Sequence, residues 1–360
     1  MSRAQGWTPI GAALAVWLGS IAASGAPTAI GTLVSTQVSQ ASYQDYLDNY
    51  LYTHTGDNRA GGQPDNIAAR GNIAALFQSF GLNVQLFPFP YNGQTYYNVV
   101  ATQIGIRLPN EVYIVGAHFD SVGNPGADDD ASGVAAVLEA ARVVSQYDTD
   151  RTIRYIAFDQ EENGLVGSRA YANSLAGQTI RGMVQLDMIT HNSGTYTTDI
   201  FGRTASNPLK SQVSTALLDY GNNLGTQVNG ALNASDHAPF EDVGIQACAL
   251  IEDNYPANAC YHRLCDAVET ANHIHYAMGT DVTRGVAGFL ADHAVVRLRG
   301  DVNCDGAVNN FDIDPFVLAL TDASAYTAAF PACAVVLADV NHDGLVNNFD
   351  IDAFVTLLTP

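Results

Sequence analysis

Acids and imidazoles are concentrated in a few short stretches of this chain. "VYIVGAHFD" ends in His118 and Asp120, and the loop beyond it, "GADDDASG", carries Asp128, Asp129 and Asp130. "TIRYIAFDQEEN" ends in Asp159, Glu161 and Glu162, and "GMVQLDM" ends in Asp187. "QACALIEDNY" ends in Glu252 and Asp253 and leads into "ACYHRLCD" with His262. Each stretch opens as an apolar run suited to a buried strand and closes on groups that bind metals or carry protons. Carboxylates drawn into one crevice repel each other, and burying them unpaired is unfavourable. One or two divalent cations would relieve that repulsion. Imidazole and carboxylate ligands without a thiolate suit catalytic zinc. Taken singly, each piece has a plainer reading, such as a strand-end histidine bonded to a neighbour or a Glu-Glu pair opening a helix. Their placement after four successive strands favours one shared site.

The elements that must position these groups can be read from the same pattern. Apolar runs at 98–103, 112–117, 152–158, 183–186 and 246–251 read as strands. Ile73, Leu76, Phe77 and Phe80 keep helical spacing, with Gly81 as a stop, and Val134, Val137, Leu138 and Ala141 do the same after the aspartate loop. Strands alternating with helices predict an α/β fold, a mostly parallel central sheet flanked by helices. In such sheets ligands bind beyond the carboxyl ends of the strands.

The 360 residues leave room for one large domain and a smaller one. A net charge of −21, with Lys210 as the single lysine, argues against a nucleic-acid partner and fits cation binding or plain solubility. Near the N-terminus, Arg3 precedes the apolar run "IGAALAVWLGSIAA" (Ile10–Ala23) and the small residues "ASGAPTA". That run is shorter than the roughly 20 residues a spanning helix needs, so residues 1–29 are expected to be a signal peptide and the protein secreted or extracellular, with no membrane span. Export makes disulfides permissible. Cys260 and Cys265 lie close enough for a short-loop bridge, Cys304 and Cys333 share the C-terminal segment, and Cys248 reads as a buried small hydrophobe. The pairing stays open. "NAS" at Asn233 fits a glycosylation sequon.

The C-terminus repeats itself. "DVNCDGAVNNFDID" from Asp301 returns as "DVNHDGLVNNFDID" from Asp339, which marks a separate module over 298–360 after a larger unit over 30–297, with "RLRG" (Arg297–Gly300) at the boundary. Each copy places oxygen side chains at loop positions 1, 3, 5, 9 and 12 and glycine at 6. These are Asp301, Asn303, Asp305, Asn309 and Asp312, then Asp339, Asn341, Asp343, Asn347 and Asp350. Ala307 and Leu345 at position 7 offer backbone carbonyls. Two calcium ions are expected here.

The order "GAHFDS…GADDDASG", "FDQEENGLVGS", "QLDM", "SDHAPF" and "YH" resembles the zinc aminopeptidases of the bacterial leucyl aminopeptidase type over about residues 40–295. Their wider group includes glutamate carboxypeptidase and the glutaminyl cyclases. The resemblance implies a secreted di-zinc enzyme acting on peptide substrates. His118 and Asp187 would hold one zinc and Glu162 and His262 the other, with Asp129 bridging. Asp120 would orient His118, Glu161 would be the general base, and Asp128 and Asp130 would support Asp129. Asp236 and His237 of the "SDH" block would line the substrate pocket beside Ser235. Some relatives stabilise the oxyanion with a tyrosine in a disulfide loop just before that block. Here "NGALNASDH" has neither cysteine nor tyrosine, and Tyr255 and Tyr261 are the candidates near His262. The alternatives are a carboxypeptidase-like or cyclase-like enzyme, or a non-catalytic binding protein of the same fold. The duplicated loops resemble a type I dockerin module, which implies a cohesin-like scaffold or cell-surface partner. Phe311 and Phe349 depart from the small polar residues dockerins usually carry there.

Overall fold

The computed structural model describes residues 26–51 and 58–359; the expected signal peptide, apart from its last four residues, lies outside the described residues. Ten strands follow in chain order: β1 (Asn83–Tyr91), β2 (Gln94–Gln103), β3 (Leu108–His118), β4 (Asp148–Thr149), β5 (Arg151–Phe158), β6 (Thr179–Leu186), β7 (Thr197–Phe201), β8 (Gly225–Val228), β9 (Ala247–Glu252) and β10 (Val296–Arg297). Eight of them form one sheet in the order β1-β2-β5-β3-β6-β9-β7-β8. The central four, β5, β3, β6 and β9, are mutually parallel, so their carboxyl ends share one edge. The expected α/β fold with a mostly parallel sheet is what forms, and each of the five apolar runs lies within or overlaps a strand of it.

Sequence pattern missed β1, β7 and β8. In β1, "NVQLFPFPY", Pro88 and Pro90 cannot donate to a ladder, which removes a run from strand candidacy unless it lies on an edge. β1 is that edge, paired only with β2 through the Asn92-Gly93 turn, whose positive φ values of 48° and 77° suit a two-residue hairpin.

Helices cover both faces of the sheet. Helix Pro64–Ser79 buries Ile73 and Phe77 as the spacing predicted and stops before Gly81 at φ +80°. Helix Ala131–Val144 is buried along nearly its whole length and packs against helix Tyr276–Leu290. No helix among the described residues is long and apolar enough to cross a membrane.

The C-terminal segment has its own core of Val302, Phe316, Tyr326, Leu337 and Phe354, with the Phe316 and Phe354 rings stacked 4.0 Å apart. Cys304 bonds Cys333 there. The segment leans on the larger unit through Arg299, whose Nε donates to Asp148 at 2.7 Å while Nη1 donates to Asp339 at 2.9 Å, and through Arg297, which is bonded to Asp150 and donates to the Ala332 carbonyl at 3.3 Å.

Gly133, in the first turn of helix Ala131–Val144, shows how tightly that helix meets the sheet. A Cβ there would lie 2.5 Å from the carbonyl oxygen of Leu186, at the end of β6, and 2.4 Å from Oδ1 of Asp130. A backbone carbonyl cannot swing aside. Gly133→Ala is therefore expected to destabilise the chain by about 2 kcal/mol, read as a lower denaturant midpoint; an unchanged midpoint would mean the helix can shift.

Candidate metal centre

The end of each central strand carries one part of the site. His118 is the last residue of β3, Asp187 follows β6, and Glu161 and Glu162 lie in the loop after β5. His262 comes from the loop beyond β9 and Asp129 from the loop between β3 and its helix. Asp129 sits at the centre. Its Oδ1 is 3.2 Å from Nε2 of His118 and its Oδ2 is 3.1 Å from Nε2 of His262. His118 Nε2 is also 3.7 Å from Asp187, and His262 Nε2 is 3.3 Å from Glu162. One carboxylate thus faces two imidazoles, each backed by a further carboxylate. The five residues expected to bind metal are brought together.

A ring of polar contacts holds them. Asp130 accepts from the His118 and Gly133 amides, tying β3 to the start of the next helix. Asp128 accepts from the Thr190 amide and hydroxyl and from Asn258 Nδ2. Both brace the chain on either side of Asp129 rather than Asp129 itself, whose amide is held by Asp266. Asp120 does more than orient His118. Its backbone carbonyl is 3.1 Å from His118 Nδ1, while its carboxylate accepts the amides of Glu161 at 3.0 Å and Glu162 at 3.2 Å. The carboxylate itself stays 3.7 Å from the imidazole, so it chiefly fixes the loop bearing Glu161 and Glu162.

Asp236 and His237 do not line the site, contrary to expectation. Both are fully buried at the start of helix Ala238–Asp242, with Gln185 Nε2 donating to Asp236 at 3.4 Å. Ser235 is the member of the block that reaches the ligands, donating to Asp187 Oδ2 at 2.7 Å. Asp159 and Glu252 also stay outside the cluster, accepting from Asn66 and from Asn258 and the His191 amide respectively. Asp266 escaped sequence reasoning altogether. Its two carboxylate oxygens accept the amides of Asp128 at 2.7 Å and Asp129 at 3.1 Å, and no motif spacing marks it.

The cluster opens into a cavity of about 420 Å³. Tyr255 and Tyr261 line it as expected, joined by Leu165, Met188, Leu232 and Ile251 as an apolar wall and by Arg169 at its margin. The wall residues come from four separate loops and strand ends, so no local pattern announces them. The pairing left open in the sequence is also settled here: Cys260 bonds Cys265, on either side of Tyr261 and His262, and Cys248 is free and buried.

The electrostatics fit a cation. Burial pushes Glu161 well above the usual carboxylate range and raises Glu162, Asp159 and Asp236 to about 7. Contacts with Asp129 and Glu162 raise His262 to about 10. Burial alone would raise Asp129, but His118 and His262 hold it down to about 2. Glu162 Oε1 is buried and accepts no hydrogen bond, and the buried Asp129 Oδ2 has the His262 ring nitrogen beside it as its facing group. His118, Asp129 and Glu162 bring ligand atoms within 4.8 Å of one another, as do His118, Glu161 and Asp187. Divalent cations would satisfy these lone pairs and remove the repulsion.

The two C-terminal loops share one internal geometry. Asp301 accepts the amides of Asp305 and Gly306, and Asp339 those of Asp343 and Gly344. Asp312 caps the first loop by accepting from Val302, Asn303 and Asn309, and Asp350 accepts from Asn341 and Asn347. Phe311 and Phe349 are each 79% exposed.

A model of peptidase family M28 matches residues 98–288. The leupeptin-inactivating enzyme 1 of Streptomyces exfoliatus is 31% identical over 246 residues, covering 62% of this chain and 55% of that protein. A zinc aminopeptidase from Bacillus subtilis of known structure is 27% identical with a TM-score of 0.51, covering 57% of this chain and 52% of that one. The glutaminyl cyclase of Porphyromonas gingivalis shares the fold, with a TM-score of 0.60 at 21% identity, covering 71% of this chain and 99% of that one. The chain spans about half the length of the sequence relatives it matches.

The raised carboxyl and imidazole groups set a pH dependence for the metal-free protein. A group whose folded pKa lies above its unfolded value gives stability at low pH that is lost as pH rises through the folded pKa. Glu161, Glu162, Asp159, Asp236 and His262 all act in that sense, and buried His237, lowered to about 4, opposes them only below its ordinary range. Metal-free protein should therefore melt at progressively lower temperature from about pH 5 to pH 8, and saturating divalent metal should flatten the trend. Metal-free melting temperatures that rise over that range would contradict the charge assignment.

Proposed function

The chain belongs to peptidase family M28, and on that premise we propose that it is a secreted zinc aminopeptidase that removes residues from the amino end of peptides. The observation that carries the reading is the Asp129 carboxylate set between His118 and His262, with Glu161 lining the same cavity. His118 and Asp187 would hold one zinc, Glu162 and His262 a second, and Asp129 both. Zinc, when bound, polarises the scissile carbonyl and makes the attacking water more acidic.

The chain's own residues do the rest. Glu161, a carboxylate the ligand set does not require, takes the proton of the attacking water and returns it to the leaving amine. Tyr261 supplies the oxyanion donor that the "SDH" block lacks. Its ring lies 4.0 Å from the His262 ring, it lines the cavity, and among the described residues its hydroxyl makes no hydrogen bond. Tyr255 packs edge-on against Tyr261 and serves as wall. With Leu165, Met188, Leu232 and Ile251 it favours an apolar side chain at the amino terminus. The surrounding carboxylates attract a free α-ammonium group and disfavour a blocked one. The five-residue ligand set favours two metals over the single metal of a cyclase-like enzyme.

The duplicated loops are proposed to bind two calcium ions through Asp301, Asn303, Asp305, the Ala307 carbonyl, Asn309 and Asp312, and through the matching residues of the second copy. Phe311 and Phe349 then offer an exposed apolar face for a cohesin-like scaffold or cell-surface partner.

Glu161→Gln is expected to retain zinc and to lower kcat on an aminoacyl-nitroanilide by about 10³-fold. Tyr261→Phe should lower kcat by about 10²-fold while changing KM little. A peptide acetylated at its amino end should not be cut. Near-native turnover by Glu161→Gln, or rapid cleavage of the acetylated peptide, would overturn the proposal.

A further inference from the structure

The two histidines that face Asp129 are held in very different ways. His118 ends a central strand, its side chain is 1% exposed, and Nδ1 rests 3.1 Å from the Asp120 carbonyl. His262 is 40% exposed, adopts φ +57°, and among the described residues its Nδ1 has no partner. The chain forms neither helix nor strand from Asn258 to His275. Two anchors pin this stretch: Asn258, bonded to Asp128 and Glu252, and Asp266, bonded to the Asp128 and Asp129 amides and facing His273. Between the anchors, Tyr261 packs on Tyr255 and against the Met188, Ala249 and Ile251 cluster, and other contact with the rest of the protein is sparse. Asn124 Nδ2 donates to the Arg263 carbonyl at 3.2 Å, and Leu264 is 78% exposed. What closes the loop is the Cys260–Cys265 bridge, which joins positions five apart, brings the two Cα atoms to 5.1 Å and brackets Tyr261 and His262.

We infer that the Cys260–Cys265 disulfide is the positioning element for His262, so that the metal held by Glu162 and His262 is retained only while the bridge is intact. The inference rests on the two-zinc reading above. A ligand histidine usually owes its orientation to a partner on its other ring nitrogen, and loss of such a partner lowers metal affinity 10–100-fold. His262 lacks one, and the covalent loop takes its place by excluding the conformations in which the imidazole points into solvent. Two-electron reduction by a dithiol breaks the S–S bond, leaves a thiol on Cys260 and another on Cys265, and converts the dithiol to its own disulfide. His262 then samples an open loop. His118 ends β3 and Asp187 directly follows β6, neither of which the bridge touches, so their metal is unaffected. Metal retention thereby follows the redox state of the surroundings.

The test is zinc titration of metal-free full-length protein against a chromophoric competitor, for native protein, Cys260→Ser/Cys265→Ser and, as a control disulfide, Cys304→Ser/Cys333→Ser. In the first variant one zinc is expected to bind about 10–100-fold more weakly and the other within about threefold of native. The control should match native at both. His262→Ala should weaken the same zinc in native protein yet add little in the Cys260→Ser/Cys265→Ser background. The retained tight zinc reports that the variant is folded. Two unchanged affinities, or equal weakening of both, overturn the inference. A native chain that binds a single zinc removes the two-metal reading and this inference with it.

Discussion

Everything in the larger unit answers one constraint: seven carboxylates, those of Asp120, Asp128, Asp129, Asp130, Glu161, Glu162 and Asp187, must share a small volume without driving it apart. Protein donors neutralise four of them. Asp120, Asp128 and Asp130 are saturated by amides and side-chain donors, and Asp187 accepts from Ser235. Asp129, Glu161, Glu162 and the free face of Asp187 line the cavity, and His118 and His262 alone cannot offset them. Zinc is the natural counter-charge for a cluster so built. The parallel order of β5, β3, β6 and β9 gives the constraint its location, because only that order brings four strand ends to one edge.

How much of this was legible depended on whether a signal was local. His118, Glu161, Glu162 and Asp187 stand within a few residues of apolar strand runs, so their convergence followed from the α/β pattern. Asp129 and His262 took their roles from family resemblance, and the structure sets the Asp129 carboxylate between the His118 and His262 rings. The "SDH" block shows the opposite case. Its residues lie beside the site in sequence, yet only Ser235 reaches a ligand, because the Asp236 and His237 side chains point into the core at a helix start. Asp266 and the apolar wall depend on chain segments meeting from far apart, and no spacing rule anticipates that. β1 was hidden by its own prolines, which only an edge strand tolerates.

The C-terminal unit follows a separate logic. Its two loops are alike down to individual amide–carboxylate bonds, which the sequence repeat already foretold. What the repeat did not foretell is the attachment. Arg299 joins Asp148 to Asp339, the first position of the second loop, while among the described residues Asp301 in the first loop has no such cation. Near-identical sequences thus occupy unequal surroundings, and the apolar face that carries Phe311 and Phe349 is left exposed.

The claim on which the rest turns is that Asp129 serves two metals at once. Native mass spectrometry of zinc-loaded protein counts bound ions directly, without reference to activity. Native protein should carry two zincs, and Asp129→Ala should lose both under conditions where Glu162→Ala loses one. A single zinc on native protein, or two retained by Asp129→Ala, would contradict a shared carboxylate at the centre of this site.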